Sequence, residues 1–285
     1  MRRGERASFP GMDAEINLRA TLECGQVFHW TERTDGSWEG VVEDHLAVVR
    51  EERGRLEVVE GDEGRLAAYF ALDYDLAAIY GGFPGDPTMR AALDFCRGLR
   101  IIRQPAWECL ATFITSSMKQ VVHIRQMSFA LRSRFGRAVR GSACRAYPEP
   151  GQLAAATEEE LRACGLGYRA KNLRATAQRV ASGEADLEAW RGLDDSALRD
   201  ALCTLPGVGR KVANCAMLFG FGRLGAFPVD TWIARIMRKN YWRGRGKPTP
   251  LALEKRLVGK FGPHAGYAQQ YLFHHARMTQ KKSRA

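Results

Sequence analysis

The sequence predicts an α+β protein: a small antiparallel β-sheet lobe at the N-terminus, then a mostly α-helical, two-lobed body containing a helix-hairpin-helix. Three observations predict it. Over residues 1–90, short segments rich in β-branched and aromatic residues alternate with turn residues. From residue 88 onward, apolar residues recur at helical spacing. Leu205-Pro206-Gly207-Val208-Gly209 is a tight glycine turn that leads into a helix. Residues 1–90 are therefore assigned to the sheet lobe and 91–285 to the helical body, with 91–200 and 201–285 as its lobes.

The elements follow in order. Val27-Phe28-His29-Trp30, Trp38-Glu39-Gly40-Val41-Val42, residues 45–50 and residues 55–59 read as strands. Asp35-Gly36-Ser37, Glu43-Asp44 and residues 51–54 are the turns between them, as in a sheet built of hairpins. Residues 64–80 look helical before Gly81-Gly82-Phe83-Pro84-Gly85-Asp86-Pro87 breaks the chain. Trp107, Leu110, Phe113 and Ile114 share one face of a helix over 105–117. Residues 121–135 continue as a helix, and Gly136 is its natural stop. Thr157-Glu158-Glu159-Glu160 is a capping box before Leu161. Further helices are predicted over 169–182, 196–202, 209–220, 231–241, 250–261 and 266–278.

The net charge of +11 and the pI near 9.5 suit a polyanionic partner. The charge is clustered. Nine Lys or Arg residues and one acid, Glu108, lie between Arg97 and Arg140. Residues 231–253 hold Arg235, Arg238, Lys239, Arg243, Arg245 and Lys247 and no acid, and the tail ends Lys281-Lys282-Ser283-Arg284-Ala285. Such clusters read as a phosphate-binding footprint. The seven cysteines are odd in number and too far apart for a zinc or disulfide framework. They fit a reducing cytoplasm. No cysteine follows Cys215, which rules out a C-terminal four-cysteine iron–sulfur cluster. The first residues carry charge without an apolar stretch, so no signal peptide is read there. No apolar run reaches the ~18 residues of a membrane span. No membrane partner is expected, and nothing in the sequence suggests an oligomer, so a monomer is expected.

The glycine turn carries the chemistry. Gly207 and Gly209, without a Cβ, let the backbone turn around Val208 and approach a ligand closely. The free N–H groups of the helix that follows point outward with the positive end of its dipole, an anion site suited to a DNA phosphate. The carbonyls of Cys203, Leu205 and Val208 face the other way and suit a monovalent cation, K+ or Na+. Lys211 falls in the first turn of that helix, where the dipole favours the free amine that attacks carbon. Its simpler role is a phosphate contact. Asp230 is a good N-cap for the helix at 231–241 and also a carboxylate placed to stabilise an oxocarbenium-like sugar. Cys215, four residues after Lys211, shares its face; it lines a base pocket or is simply buried.

These residues resemble the helix-hairpin-helix/Gly-Pro-Asp superfamily of base-excision glycosylases. Within it, the chain is similar to the 8-oxoguanine DNA glycosylase/AP lyase family, in a bacterial form. The resemblance runs through Cys24-Gly25-Gln26-Val27-Phe28-His29-Trp30, Leu99-Arg100-Ile101-Ile102-Arg103-Gln104, Phe113-Ile114-Thr115-Ser116-Ser117, Leu166-Gly167-Tyr168-Arg169-Ala170, the hairpin with Lys211, Val229-Asp230, and Gly266-Tyr267-Ala268-Gln269 through Phe273. It covers nearly the whole chain, in order. It implies that the lesion is flipped out of double-stranded DNA, at roughly a few kcal/mol. Lys211 then attacks C1′ to release 8-oxoguanine and form a Schiff base, and β-elimination can cut the strand. Asp230 assists both stages, in a site between the two helical lobes. Phe273 and Cys215 would sandwich the purine, and Gln269 would bond its Watson–Crick edge. The Gly25 carbonyl would accept the N7–H that guanine lacks. Tyr168 would wedge into the gap, and Arg169 would read the orphaned base. No cofactor is implied.

Three departures stand out. Met118-Lys119-Gln120 replaces three consecutive asparagines, and the first of those fills the gap and reads the opposite cytosine. A second cytosine reader, normally arginine, falls on His123. Trp232 stands where a histidine contacts phosphate, leaving Thr231 or backbone amides to substitute. Relaxed opposite-base preference is therefore expected. Two other functions fit the hairpin: a monofunctional alkyl-base glycosylase, which needs Asp230 but not Lys211, and a non-catalytic DNA-binding scaffold.

Overall fold

In the computed structural model, residues 11–282 are described; the N-terminal segment read for a signal peptide lies outside them up to residue 10, as do 283–285 and the side chains of Leu257, Gln280, Lys281 and Lys282. The chain begins with α1 (Leu18–Glu23), capped by the Asn17 side chain on the Ala20 N–H at 2.9 Å. A four-stranded antiparallel meander follows: β1 (Thr31–Glu32), β2 (Trp38–Val42), β3 (His45–Glu52) and β4 (Arg55–Glu60). Trp38 pairs with Val49 and Val42 with His45, and a bulge at Val48/Val49 shifts the β3–β4 register. Trp38, Ala47, Val49 and Leu56 form the buried face, closed by Leu66 and Phe70.

The predicted strand at 27–30 is corrected. Only Thr31 and Glu32 join the ladder. Val27, Phe28, His29 and Trp30 are all buried, Val27 and Trp30 in the core of the sheet lobe and Phe28 in that of the helical body. Side chains take up carbonyls here: Gln104 bonds that of Gln26 at 2.8 Å, and Arg125 that of Trp30 at 2.7 Å. The segment is extended because it is gripped from both sides, not because it is laddered.

The helix predicted over 64–80 is two helices, α2 (Glu63–Tyr69) and α3 (Leu76–Gly81). Ala71 at φ +51° breaks it, and Arg100 bonds the Ala71 and Tyr74 carbonyls at 2.5 and 3.2 Å. After α4 (Pro87–Cys96) come α5 (Ala106–Thr115), α6 (Val121–Phe135), α7 (Pro150–Ala155), α8 (Glu158–Ala163) and α9 (Arg169–Ala181). The Thr157/Glu160 capping box is present at α8, and α7 was not anticipated. Then follow α10 (Asp195–Cys203), α11 (Arg210–Phe219), α12 (Thr231–Asn240), α13 (Pro250–Phe261) and α14 (Ala265–Lys282). Helix α11 packs on α5 and α10, and α14 packs on α4, α12 and α13, so the two stretches that carry candidate groups meet in one core.

Part of the basic footprint is also corrected. Arg100 is buried on backbone carbonyls, Arg132 is buried against Glu108, and Arg103 forms a bidentate pair with Asp73 at 2.7 Å. Arg100 and Arg132 are buried on groups inside the protein, and the half-buried Arg103 is held by its pair with Asp73, so these three serve the fold. Arg235, Arg238, Lys239, Arg243, Arg245 and Lys247 are exposed.

Candidate active site

The hairpin joins α10 to α11. Gly207 has φ +79°, and a Cβ there would stand 2.8 Å from Asn172 Cβ on α9, so only glycine fits. Gly209 is the N-cap of α11 at φ −90°, and its Cβ position faces open space. Val208 is buried and donates to the Leu205 carbonyl at 3.1 Å, locking the turn. The N-cap offers no side chain to the first N–H groups of α11, which are left for an anion. The Leu205 carbonyl accepts the bond from Val208 with one lone pair and keeps the other.

Lys211 is half-buried, its Nζ 3.4 Å from Ser116 Oγ and 5.1 Å from the Phe113 ring centroid. The Ser116 hydroxyl donates to the Phe113 carbonyl at 2.7 Å, so its oxygen accepts from the lysine. Phe113 and Ser116 lie in a segment that carries the family resemblance, but their contacts with Lys211 were not anticipated. Cys215, one turn along α11, is buried, and burial pushes its thiol up while the Lys211 charge opposes this.

Asp230 caps α12 through its side chain, which accepts the Ile233 N–H at 2.8 Å. Burial raises its carboxyl above the ordinary aspartate range; the Ile233 N–H and the charge of Lys211 pull the other way. The cap role is thus met within the fold. Thr231, next in sequence, is exposed.

Gln269 and Phe273 lie one turn apart on α14. Gln269 is buried, and its Oε1 has no hydrogen-bond partner. An unsatisfied buried acceptor is costly and calls for an explanation at a binding site. Gly25 has φ +87°, and a Cβ there would stand 3.4 Å from Phe273 Cε1. Two sequence-distant candidates, Gly25 and Phe273, thus lie side by side.

At the rim, Met118 is 95% exposed at φ +55°. Lys119, Gln120 and His123 beside it are exposed, and Tyr168 is 59% exposed. Arg169 departs from the expectation of a base reader. It is buried beneath the Tyr168 ring, its Nε bonds the Ser117 carbonyl at 2.9 Å, and its other nitrogens bond Ser117 and Leu166. Three of its five N–H donors tie the Tyr168 turn to the segment before Met118. Two surface cavities, of about 430 and 240 Å3, lie elsewhere: one lined by Tyr69, Arg103 and Phe221, the other by His29, Arg132 and Cys144.

Residues 112–263 match the profile of the helix-hairpin-helix/Gly-Pro-Asp superfamily of base excision DNA repair proteins. Residues 9–110 match that of the N-terminal domain of 8-oxoguanine DNA glycosylase. An N-glycosylase/DNA lyase of Arabidopsis thaliana is 30% identical over 91% of this chain and 77% of its own. One of Saccharomyces cerevisiae is 29% identical over 91% of this chain and 83% of its own. The 8-oxoguanine glycosylase/lyase of Clostridium acetobutylicum, in complex with double-stranded DNA containing cytosine opposite the lesion, superposes with a TM-score of 0.87 at 30% identity, over 93% of both chains. The chain belongs to the 8-oxoguanine DNA glycosylase family within the helix-hairpin-helix/Gly-Pro-Asp superfamily.

Proposed function

We propose that this chain is a bifunctional DNA glycosylase/AP lyase of base excision repair, which excises 8-oxoguanine from duplex DNA and can nick the strand. The observation that carries the reading is the half-buried Lys211 amine at the head of a helix with open N–H groups, in a family whose relatives are named N-glycosylase/DNA lyase. The open N–H groups grip a phosphate without reading sequence. The Lys211 amine attacks C1′, the C1′–N9 bond breaks, and the purine leaves with its electron pair. Asp230 stabilises positive charge on the sugar. Loss of the amine protons and opening of the sugar give a C1′ imine. Removal of a C2′ proton then expels the 3′ phosphate oxygen. Phe273 and Cys215 flank the base, the unpaired Gln269 Oε1 takes a donor from its edge, and the Gly25 carbonyl takes the N7–H. Tyr168 and Met118 fill the vacated stack, and Thr231 contacts the backbone. Every reacting group belongs to the chain, so the reading needs no cofactor; K+ or Na+ on the hairpin carbonyls would only brace the turn.

Borohydride trapping on an 8-oxoguanine duplex tests this. A covalent adduct that disappears in Lys211→Gln is the expected result. Excision without an adduct favours the alkyl-base reading, and binding without excision favours the scaffold.

A further inference from the structure

The turn that follows α1 offers three consecutive carbonyls, at Glu23, Cys24 and Gly25. Helix α14 takes two of them. Arg277 Nη2 donates to the Glu23 carbonyl, and Gln270 Nε2 donates to the Cys24 carbonyl at 2.9 Å. No donor within the described residues bonds the third, at Gly25. Gln270 and Arg277 are seven residues apart, two helical turns, so they share one face of α14. Gln269 and Phe273 occupy the neighbouring face. One helix thus carries both the base-facing groups and the groups that grip the turn opposite them.

Arg277 is an unusual residue to spend on a turn. It is buried, 7% exposed, with its guanidinium 5.7 Å from the Phe273 ring centroid. Its Nη1 lies 3.9 Å from where a Cβ on Gly25 would stand, and its Nε has no partner. It contacts His274 Nδ1 at 3.5 Å, and no carboxylate lies within ion-pair distance among the described residues. A buried arginine with an unmet donor costs stability that a packed leucine would not. The clamp around Gly25 is what this one does.

We propose that Arg277, with Gln270, is a positioning residue for lesion recognition: it fixes the Glu23–Gly25 turn so that the Gly25 carbonyl stays free and faces the flipped base, and so sets the preference for 8-oxoguanine over guanine. This rests on the reading above, in which that carbonyl accepts the N7–H. A single hydrogen bond at a buried site discriminates strongly only if its acceptor is held still.

The test uses the full chain and two substrates. The first is a duplex with 8-oxoguanine opposite cytosine; the second is the same duplex with a preformed abasic site, which needs Lys211 and Asp230 but no base recognition. Arg277→Met is expected to slow 8-oxoguanine excision by about tenfold or more and leave abasic-site cleavage within about threefold of the parent. In the Lys211→Gln background, the same change should compress the affinity ratio between lesion and undamaged duplexes. Gln270→Met should act in the same direction, and Arg277→Lys should restore part of the loss. Unchanged excision and an unchanged ratio in both Met variants overturn the proposal. So does a parallel loss of both activities, which would mark Arg277 as generally structural. If the parent cleaves abasic DNA but does not excise 8-oxoguanine, the functional reading fails instead.

Discussion

The Lys211 amine lies 5.1 Å from the centroid of the Phe113 ring, although the two residues come from different helices. A ring face holds a cationic or developing cationic nitrogen by about 0.5–1 kcal/mol where solvent reaches it. Phe113→Leu keeps an apolar side chain and removes that face. Borohydride trapping should slow by roughly two- to fivefold, while Lys211→Gln abolishes it. An unaltered rate in Phe113→Leu would remove the ring from the account.

Gly207 and Gly209 separate folding from binding. Alanine at Gly207 meets Asn172 and is forced into a left-handed backbone at φ +79°, so thermal stability should fall by about 1–3 kcal/mol. Alanine at Gly209 meets nothing in the protein. Its stability should be unchanged, and its affinity for an abasic-analogue duplex should drop at least about tenfold as the Cβ intrudes on the phosphate. Unfolding curves and fluorescence anisotropy read the two effects separately; intact affinity in Gly209→Ala would contradict the phosphate role.

Asp230 links activity to acidity. Its folded-state carboxyl is raised above the ordinary 3.8, chiefly by burial. In the proposed mechanism the acting form is the carboxylate, so the acid limb of the single-turnover rate should lie above pH 3.8. The sign for stability is opposite. A raised folded value contributes stability below the unfolded value that is lost as pH rises through the folded one. Asn also caps a helix well. Asp230→Asn should therefore keep or raise the Tm at pH 7 while slowing excision about a hundredfold. A lowered Tm with unimpaired excision would reduce Asp230 to a helix cap.

Met118 holds a left-handed conformation at the rim. Asn tolerates that conformation far better than Met. Met118→Asn should gain about 0.5–1 kcal/mol of stability and sharpen the preference for cytosine. The parent should excise 8-oxoguanine opposite adenine within about tenfold of its rate opposite cytosine, since one lost bidentate contact is worth 1–3 kcal/mol. Single-turnover rates on the two duplexes decide it; a cytosine preference of about a hundredfold in the parent would refute the relaxed reading.

Gln269→Leu removes the unpaired buried acceptor at similar volume. The free protein should be as stable as the parent or more so, and excision should fall at least about tenfold. A loss of stability instead would mean that Gln269 is held by the protein itself.

The sequence by itself determined whatever depends on near neighbours in the chain. The Thr157 capping box, the helix over 121–135 and the glycine hairpin each rest on residues within a few positions of one another, so local propensity sufficed. Lys211, Asp230 and Cys215 could be named as candidates because they fall within one short stretch beside that hairpin. The order of motifs added Gly25, Gln269 and Phe273 as candidates. Only the tertiary structure decided where long-range contacts turn a residue. Composition could not separate Arg100 and Arg132, which serve the core, from the exposed arginines after Asp230. Strand propensity over 27–30 was overridden because that segment is gripped by Gln104 and Arg125, 78 and 95 residues away from the carbonyls they bond. The sequence marks Arg169 as a base reader and does not single out Arg277. Packing buries both, and a buried guanidinium must bond whatever carbonyls the fold brings near, which no local pattern records.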